Sequence, residues 1–468
     1  MRMLVTVEFI DASVHTGPHP LVVVGREPNQ ASPGDIGLTL EEAKHLLNCV
    51  QCEFVVAQAE GLVERSRTCA RCGRNLPMKD VERRRIHTLF GRIALSATRL
   101  KSCTCDGSKP RAIWPLKGWL TRCSNELRYQ AARLGSDHSY RKAAALLQEL
   151  LPVHPLYGHV RVREAVLSVG ARLEQEADLP LIKEYRPLDS EEPFASIAFD
   201  GGYVRRTRKG PRRNFEVLAG ALQNGHKIKV FATVYPNRAT LPERLRRFAA
   251  TAGLDELKHV DVMTDGAHSL LRLRGLLRFK TRFVLDYFHV AMKLRHMDQC
   301  IGRIPPMRLW PEGSLFEHYD RSAYLRAYIW TGRREKIEES IQTLLALLDR
   351  VAVVSPDHSP AAGMAAGHVV DLWGHLRANA DGVINYQAWK RLGRRISSSG
   401  VEGTVNRLIG RRLGKDQQMC WTKRGAHLLL QVRCAMLNSE LLPVFRRWCG
   451  EVGGHTLGSC WLWRPQHS

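Results

Sequence analysis

Three carboxylates stand at positions suited to phosphodiester chemistry. Asp200 ends the apolar run ASIAFD and is followed by Gly201 and Gly202; Asp265 ends HVDVMTD and is followed by Gly266 and Ala267. A single strand-end Asp is ordinary turn chemistry. Two on neighbouring strands can share divalent cations. Two Mg²⁺ (or Mn²⁺) ions roughly 3.5–4 Å apart activate a water and stabilise a leaving 3′ oxygen. Magnesium keeps waters of its own, so few protein groups are needed. Asp261 lies on the face of Asp265 by period two, but enters its strand rather than leaving it. A third acid is required, and Glu402 in SSSGVEGTVNRLIGRRLGK is the candidate. Ser399 and Glu402 also fit a capping box, which explains a Glu without catalysis; the residues alone leave both roles open. Asn406, one turn on, is placed to steady the carboxylate. Arg407, Arg411 and Arg412 make the segment attractive to phosphate, unless they form a solvated basic face. Asp286 in VLDYFHV is another strand-end acid, with His289 three residues later, and this pair is expected to support the metal-binding acids or to position substrate. GRRLGKD is one residue short of a phosphate loop and lacks its Ser/Thr, so ATP-driven chemistry is not expected.

The cysteines carry a second chemistry. Cys69-Ala-Arg-Cys72-Gly73 is a tight CxxC knuckle, whose two thiolates can hold one zinc while the Gly supplies a positive φ. Tetrahedral zinc needs two more ligands, and two pairs compete. Cys49 and Cys52 give C-x2-C-x16-C-x2-C, a spacing that reads as zinc. Cys103 and Cys105 lie downstream, after the strand-like GRIALSATRLKS. The downstream pair is favoured, because Cys49 and Cys52 fall in a helical pattern where small buried residues would serve equally. A structural Zn²⁺ on Cys69, Cys72, Cys103 and Cys105 is therefore expected. A third feature is SYRKAAALLQELLP followed by HPLYGHVRVREAVLSVGARLEQE, two helical segments around a break, the second basic at Arg161 and Arg163. Helix pairs of this size enter the major groove through the second helix, although any α-hairpin packs in a similar way.

These residues need elements to hold them. Residues 1–25 alternate like two short strands around Thr16-Gly17-Pro18. Residues 39–65 have helical periodicity, with Thr39 as N-cap and Glu42 three residues on. Helix resumes from 124 to about 178, and 179–193 reads as a linker rich in Pro and charge. ASIAFD, FEVLAGAL and KIKVFATV are then three strands in a row. The helix LPERLRRFAATAGL follows, with HVDVMTD and TRFVLD as further strands, which makes a mixed α/β sheet. Residues 315–395 are helical again.

Composition bounds the partners. The 468 residues carry 70 Lys+Arg against 46 Asp+Glu, a net +24, which points to a polyanion, nucleic acid or an acidic membrane surface. Apolar content of 44% excludes wholesale disorder. No run of eighteen apolar residues and no secretory signal are seen, so a reducing cytoplasm is expected. There the 12 cysteines are metal ligands or buried thiols rather than disulfides.

With these motifs in order, the sequence resembles bacterial insertion-sequence transposases with a DDE catalytic core, of the Kra-type family. The resemblance runs over nearly the whole chain. It rests on LTLEEAKHLL, CARCG with RIHTLFGRIAL and a second cysteine pair, SYRKAAALLQELLP, FDGGYVR, VMTDGAHSL, LDYFHVAMKL, and VEGTVNRLIGRRLGK with CWTKRGAHLLLQVR. It implies Asp200, Asp265 and Glu402 as the catalytic, Mg²⁺-binding acids. It also implies an RNase H-like core with a helical insertion before the acidic helix. The second cysteine pair, CTC, is shorter than the family tends to have, and YGHVRVREAV matches loosely. The expected organisation is then 1–106, a strand/helix segment with a zinc-ribbon-like module; 107–190, a helix-turn-helix-like DNA-binding region and linker; 191–300, the first part of the core; 301–396, the insertion; 397–440, the core's completion; and 441–468, a tail. The expected function is transposition: binding the element's terminal repeats, then cutting and joining DNA strands as a homodimer or higher oligomer, cytoplasmic and associated with the nucleoid. A nuclease of the same fold that cleaves without joining, and a zinc-ribbon DNA-binding regulator with a decayed core, are the alternatives.

Overall fold

The computed structural model describes residues 2–11, 14–26, 37–117, 122–178, 195–207, 213–224, 227–234, 240–251, 259–277, 280–309, 315–316, 318–398, 403, 406–414 and 419–449. Two units are distinguished, residues 1–169 with 439–468, and residues 170–438. The expected linker at 179–193 lies outside the described residues.

In the first unit, β1 (Arg2–Asp11) and β2 (Val14–Gly25) pair antiparallel. The chain does not reverse at Thr16-Gly17-Pro18 as its turn residues suggest. Those residues fall inside β2, where the ladder steps irregularly from Val7↔His19 to Phe9↔Thr16. A bulge there leaves Pro18, which has no N–H, outside the regular ladder. α1 (Leu40–Arg65) begins with the expected capping box: Thr39 Oγ1 accepts from Glu42 N–H, and Thr39 N–H donates to the Glu42 carboxylate at 2.8 Å. Of the described helices, α1 alone has the length and hydropathy to cross a membrane. It also packs on a sheet. β3 (Met78–Thr88), β4 (Gly91–Lys101) and β5 (Ala112–Ile113) lie in that order, and Ala59 and Val63 of α1 join Ile86, Ile93, Leu95 and Ala97 in one buried cluster. α2 (Asn125–Asp137) and α3 (Tyr140–Leu150) are capped by Ser124 and Ser139. α4 (His159–Asp178) follows after the break at LPVHPLYGH, and the division between units falls within it.

The second unit is built on one mixed sheet. Its strands are β6 (Ala195–Arg205), β7 (Asn214–Asn224), β8 (Lys227–Val234), β9 (Val260–Thr264) and β10 (Thr281–Leu285), in the order β10-β9-β6-β7-β8. β6–β7 and β7–β8 are antiparallel; β9 runs parallel to β6, and β10 parallel to β9. The hairpin-linked strands need only short connections, whereas each parallel join needs a crossover. α5 (Leu241–Ala250) and α6 (His268–Arg274) supply the crossovers. Their Leu241, Leu245, Leu270 and Leu273 pack on Ile197, Phe199, Leu218 and Leu222 of the sheet. Complete burial of a Leu such as Leu245 contributes about 1.5–3 kcal/mol.

α7 (Tyr287–Ile301) follows β10, and the helical stretch expected at 315–395 then comprises α8 (His318–Thr331), α9 (Arg334–Val354), α10 (Ser359–Ala378) and α11 (Tyr386–Arg391). α12 (Lys423–Leu437) then packs on β8, where Gln431 donates to the Ala232 carbonyl at 3.1 Å. α12 also closes a buried ionic cluster. Arg244 donates to Glu174 and Asp178, and His427 lies 3.0 Å from Glu174.

Candidate functional site

Strand register brings the aspartates together. The last β6–β9 pair is Ala198↔Met263, so two residues further on Asp200 stands level with Asp265. The last β9–β10 pair is Thr264↔Leu285, so Asp286 stands level with Asp265 on its other side. Asp265 and Asp286 directly follow β9 and β10, but Asp200 does not end its strand as its sequence suggests: it lies within β6, level with Asp265, where the parallel ladder with β9 stops and β6 runs on beside β7 to Arg205. The three carboxylates thus share the end of the parallel ladder, where open α/β sheets bind ligands. Asp200 and Asp265 are each half-buried. Asp200 Oδ1 accepts from the Gly201 N–H at 2.7 Å, and Asp265 Oδ1 from the Ala267 N–H at 2.8 Å. Gly266, between Asp265 and Ala267 in the loop, has φ +87° and no room for a side chain, because a Cβ there would lie 2.5 Å from the Asn379 amide. Asp261 is not part of this group. It is buried and bonded to Arg282 at 2.7 Å.

Asp286 has a different character from the other two. It is 1% exposed and is enclosed by donors: Phe288 N–H, Ser398 N–H, Ser398 Oγ–H and His289. Despite burial, the bonds from His289 and Ser398 hold its carboxyl below the usual range. A buried anion so enclosed has little capacity left for a metal, and one of its bonds is to His289. The 2.7 Å bond to Asp286 raises the His289 pKa, and the charges of Asp265 and Asp200 add to it. Ser398 is not legible in the sequence, since nothing in ISSSG marks one serine as a partner for a carboxylate 112 positions earlier. His375 of α10 escapes sequence reasoning too. It lies within the field of Asp265, His289 and Lys293, its pKa is lowered chiefly by burial, and its Nε2 is buried without a partner among the described residues.

Glu402 and the side chain of Asn406 lie outside the described residues. Among the described residues after them, Asn406–Gly410 is a π-helical turn that runs into a helical turn, Arg411–Leu413. Arg407 and Arg411 are exposed. Arg412 corrects the expectation of a phosphate contact. It is 0% exposed, with its guanidinium 4.9 Å from the Trp421 ring centroid and donating to Met419 Sδ. It is a packing residue, because a cation stacked on a buried indole cannot reach a backbone in solvent. On α4, Arg163 is exposed and Arg161 lies 3.8 Å from Glu164, both in the helix's opening turns.

The four cysteines converge in the first unit. β3 and β4 pair from Thr88↔Gly91 back to Met78↔Leu100, so the residues before β3 and after β4 emerge side by side at the open end of the hairpin. Cys69, Cys72, Cys103 and Cys105 have their sulfurs within 4.8 Å of one another. Cys69–Cys105 is 3.8 Å and Cys72–Cys103 is 3.3 Å. A zinc with Zn–S bonds of about 2.3 Å has tetrahedron edges of about 3.8 Å, so the set fits the metal. Cys69 N–H donates to the Arg74 carbonyl, and Gly73 takes φ +70° to close the knuckle. The N–H groups of Cys72 and Arg71 pull the Cys69 thiol down to about 6, favouring the thiolate that a metal requires. The neighbouring thiols push Cys105 up to about 12, the cost of clustering sulfurs without a cation between them. Cys49 and Cys52 are elsewhere, on α1, beside His45 and Asn48.

A scan against protein-family models finds no match for the chain, and a search of curated proteins finds none.

Proposed function

We propose that the protein is a DNA transposase of the Kra-type, DDE class that its motifs resemble, with the five-stranded mixed sheet as an RNase H-like catalytic core. The observation that carries this reading is the level placement of Asp200, within β6, and Asp265, just after β9, where the parallel ladder between these strands ends. Asp200, Asp265 and Glu402 would hold Mg²⁺ or Mn²⁺, whose chemistry is to activate water and to stabilise charge on a leaving 3′ oxygen. Hard carboxylate oxygens suit these ions. Asp286 anchors His289 beside the two acids, where the imidazole N–H can donate to a phosphate oxygen. The exposed Arg163 and Arg407, with Arg161 and Arg411, are proposed as contacts to DNA. The four-cysteine cluster is proposed to fold the amino-terminal module around structural zinc. The reaction is hydrolysis at the element's ends, followed by attack of the freed 3′-OH on target DNA, in a homodimer or larger assembly.

A metal-dependent nicking assay on DNA carrying the element's ends tests the reading. Asp200→Asn and Asp265→Asn should each lower nicking by about 10³-fold or more while DNA binding persists, because the amides keep the shape but not the charge. Glu402→Gln should do the same; if it cuts normally, Glu402 is a helix cap. Normal cutting by both aspartate variants would refute the assignment of the site.

A further inference from the structure

The edge strand of the second unit's sheet carries a stack that the acid pocket does not use. Trp389 of α11 has two guanidinium groups near its ring, Arg282 of β10 at 4.2 Å from the centroid and Arg394 at 4.9 Å. Arg394 N–H also donates to the Trp389 carbonyl at 3.0 Å. Lys390 lies 5.8 Å from the Trp330 ring, and Arg391 and Leu392 are exposed beside it. Beneath, Tyr287, Trp330 and Tyr386 pack with centroids 4.8 Å (Tyr287–Trp330) and 4.9 Å (Tyr287–Tyr386) apart, and the buried Tyr386 hydroxyl donates to the Leu285 carbonyl. That cluster fixes α11 to the end of β10, so the cations stand on a rigid platform.

Arg282 is already paired with the buried Asp261 at 2.7 Å, so the unneutralised charge of this platform lies in the segment after Trp389. Between Asp381 and Glu402 the sequence has four Lys/Arg, at 390, 391, 394 and 395, and no acid. Burial and the like charge of Arg282 disfavour the Arg394 cation, partly offset by Asp261. The Asp261 carboxylate offsets the charge of Arg282 and so lets its guanidinium lie on the Trp389 ring, which leaves the exposed Lys390 and Arg391 as cations facing solvent. The same segment then runs directly to the pocket: the Ile396 carbonyl accepts from Tyr287 N–H, and Ser398 bonds Asp286.

We propose that Lys390, Arg391 and Arg394, held in place by the stacking of Trp389 on the Asp261-paired Arg282, form a binding site for the sugar–phosphate backbone of DNA flanking the acid pocket. The inference rests on the strand-cutting reading of that pocket and names where the duplex is held. Arg282 precedes Asp286 by four residues along one strand, about 13 Å at about 3.3 Å per residue. One strand of B-DNA presents a phosphate about every 3.4 Å of axis, so the platform meets the backbone about four phosphates from the pocket. A contact of this kind positions the duplex and reads no sequence.

The test is the salt dependence of binding of the full chain to a short duplex of arbitrary sequence. Lys390→Gln/Arg391→Gln changes two exposed side chains and leaves the stack in place; it should make the slope of log K against log[salt] shallower by roughly 1.8, at about 0.9 per phosphate contact. Adding Arg394→Gln should take the loss to roughly 2.7 and weaken binding at least tenfold at low salt, equally on every sequence. If the unsubstituted chain binds and both variants keep its slope, the platform is not a DNA site, while the strand-cutting reading stands on the nicking assay. If the unsubstituted chain binds no duplex at all, both fall together.

Discussion

Asp286 illustrates how little a residue's type says about its task. It stands level with Asp200 and Asp265 at the end of the parallel ladder, yet it is closed in by four donors while they remain half-open. Removing one donor from a buried carboxylate costs about 1–3 kcal/mol. Ser398→Ala should therefore lower the urea midpoint of the folded chain by a corresponding amount, with an unchanged slope; an unchanged midpoint would mean that the Ser398 bond contributes nothing. The two candidate metal-binding aspartates were legible because each ends an apolar run beside glycine. Ser398 and His375 were not, because they come from segments more than a hundred residues from the acids they face.

At the scale of the element, the β3–β4 hairpin decides which cysteines meet. Its antiparallel register delivers Cys69 and Cys72 to Cys103 and Cys105, whereas Cys49 and Cys52 ride on α1. Cys103→Ser should lose bound zinc, measured by metal analysis, and Cys49→Ser should retain it. The opposite pattern would overturn the ligand set. Because structural zinc contributes about 10–16 kcal/mol in small zinc-finger peptides, the Cys103 variant should also become protease-sensitive in its first unit. α12 supports a second prediction. The buried His427 ring lies against Val234 N–H and Thr233 Oγ1 at Nδ1 and against Glu174 and the Arg244 guanidinium, each at 3.0 Å, at Nε2. Burial pushes the His427 pKa down from 6.5 to about 4. The unfolded chain then binds a proton more readily between these values, and stability should fall as pH drops from about 6.5 to about 4. His427→Gln should flatten the denaturation midpoint over that interval; an equally steep profile in the variant would assign the dependence to another group.

Across the whole molecule, a net charge of +24 makes phosphate neutralisation the largest contribution to any nucleic-acid complex. If about 6–10 phosphates are contacted, affinity for duplex DNA should fall roughly 10³–10⁵-fold between 50 and 200 mM salt, measured by fluorescence anisotropy. A salt-independent affinity would exclude backbone binding as the role of the positive charge. A contribution from Arg412 is already excluded, since its guanidinium is stacked on Trp421 inside the second unit.

Local signals determined a good part of this protein. The Thr39–Glu42 capping box, the strand order in sequence around ASIAFD, FEVLAGAL and KIKVFATV, and the CxxC-Gly knuckle all follow from interactions within a few residues, and such interactions are written in the spacing. Thr16-Gly17-Pro18 misled because turn residues also serve a bulge, and only the partner strand distinguishes the two. Tertiary structure alone decided the rest. Register set Asp200, Asp265 and Asp286 level, burial enclosed Asp286 and Arg412, and α11 placed Trp389 between the arginines of two distant segments. The strand register, the enclosure of Asp286 and the Arg282–Trp389 stack join residues far apart in the chain, and no local pattern encodes a distance that only the packed sheet and helices define.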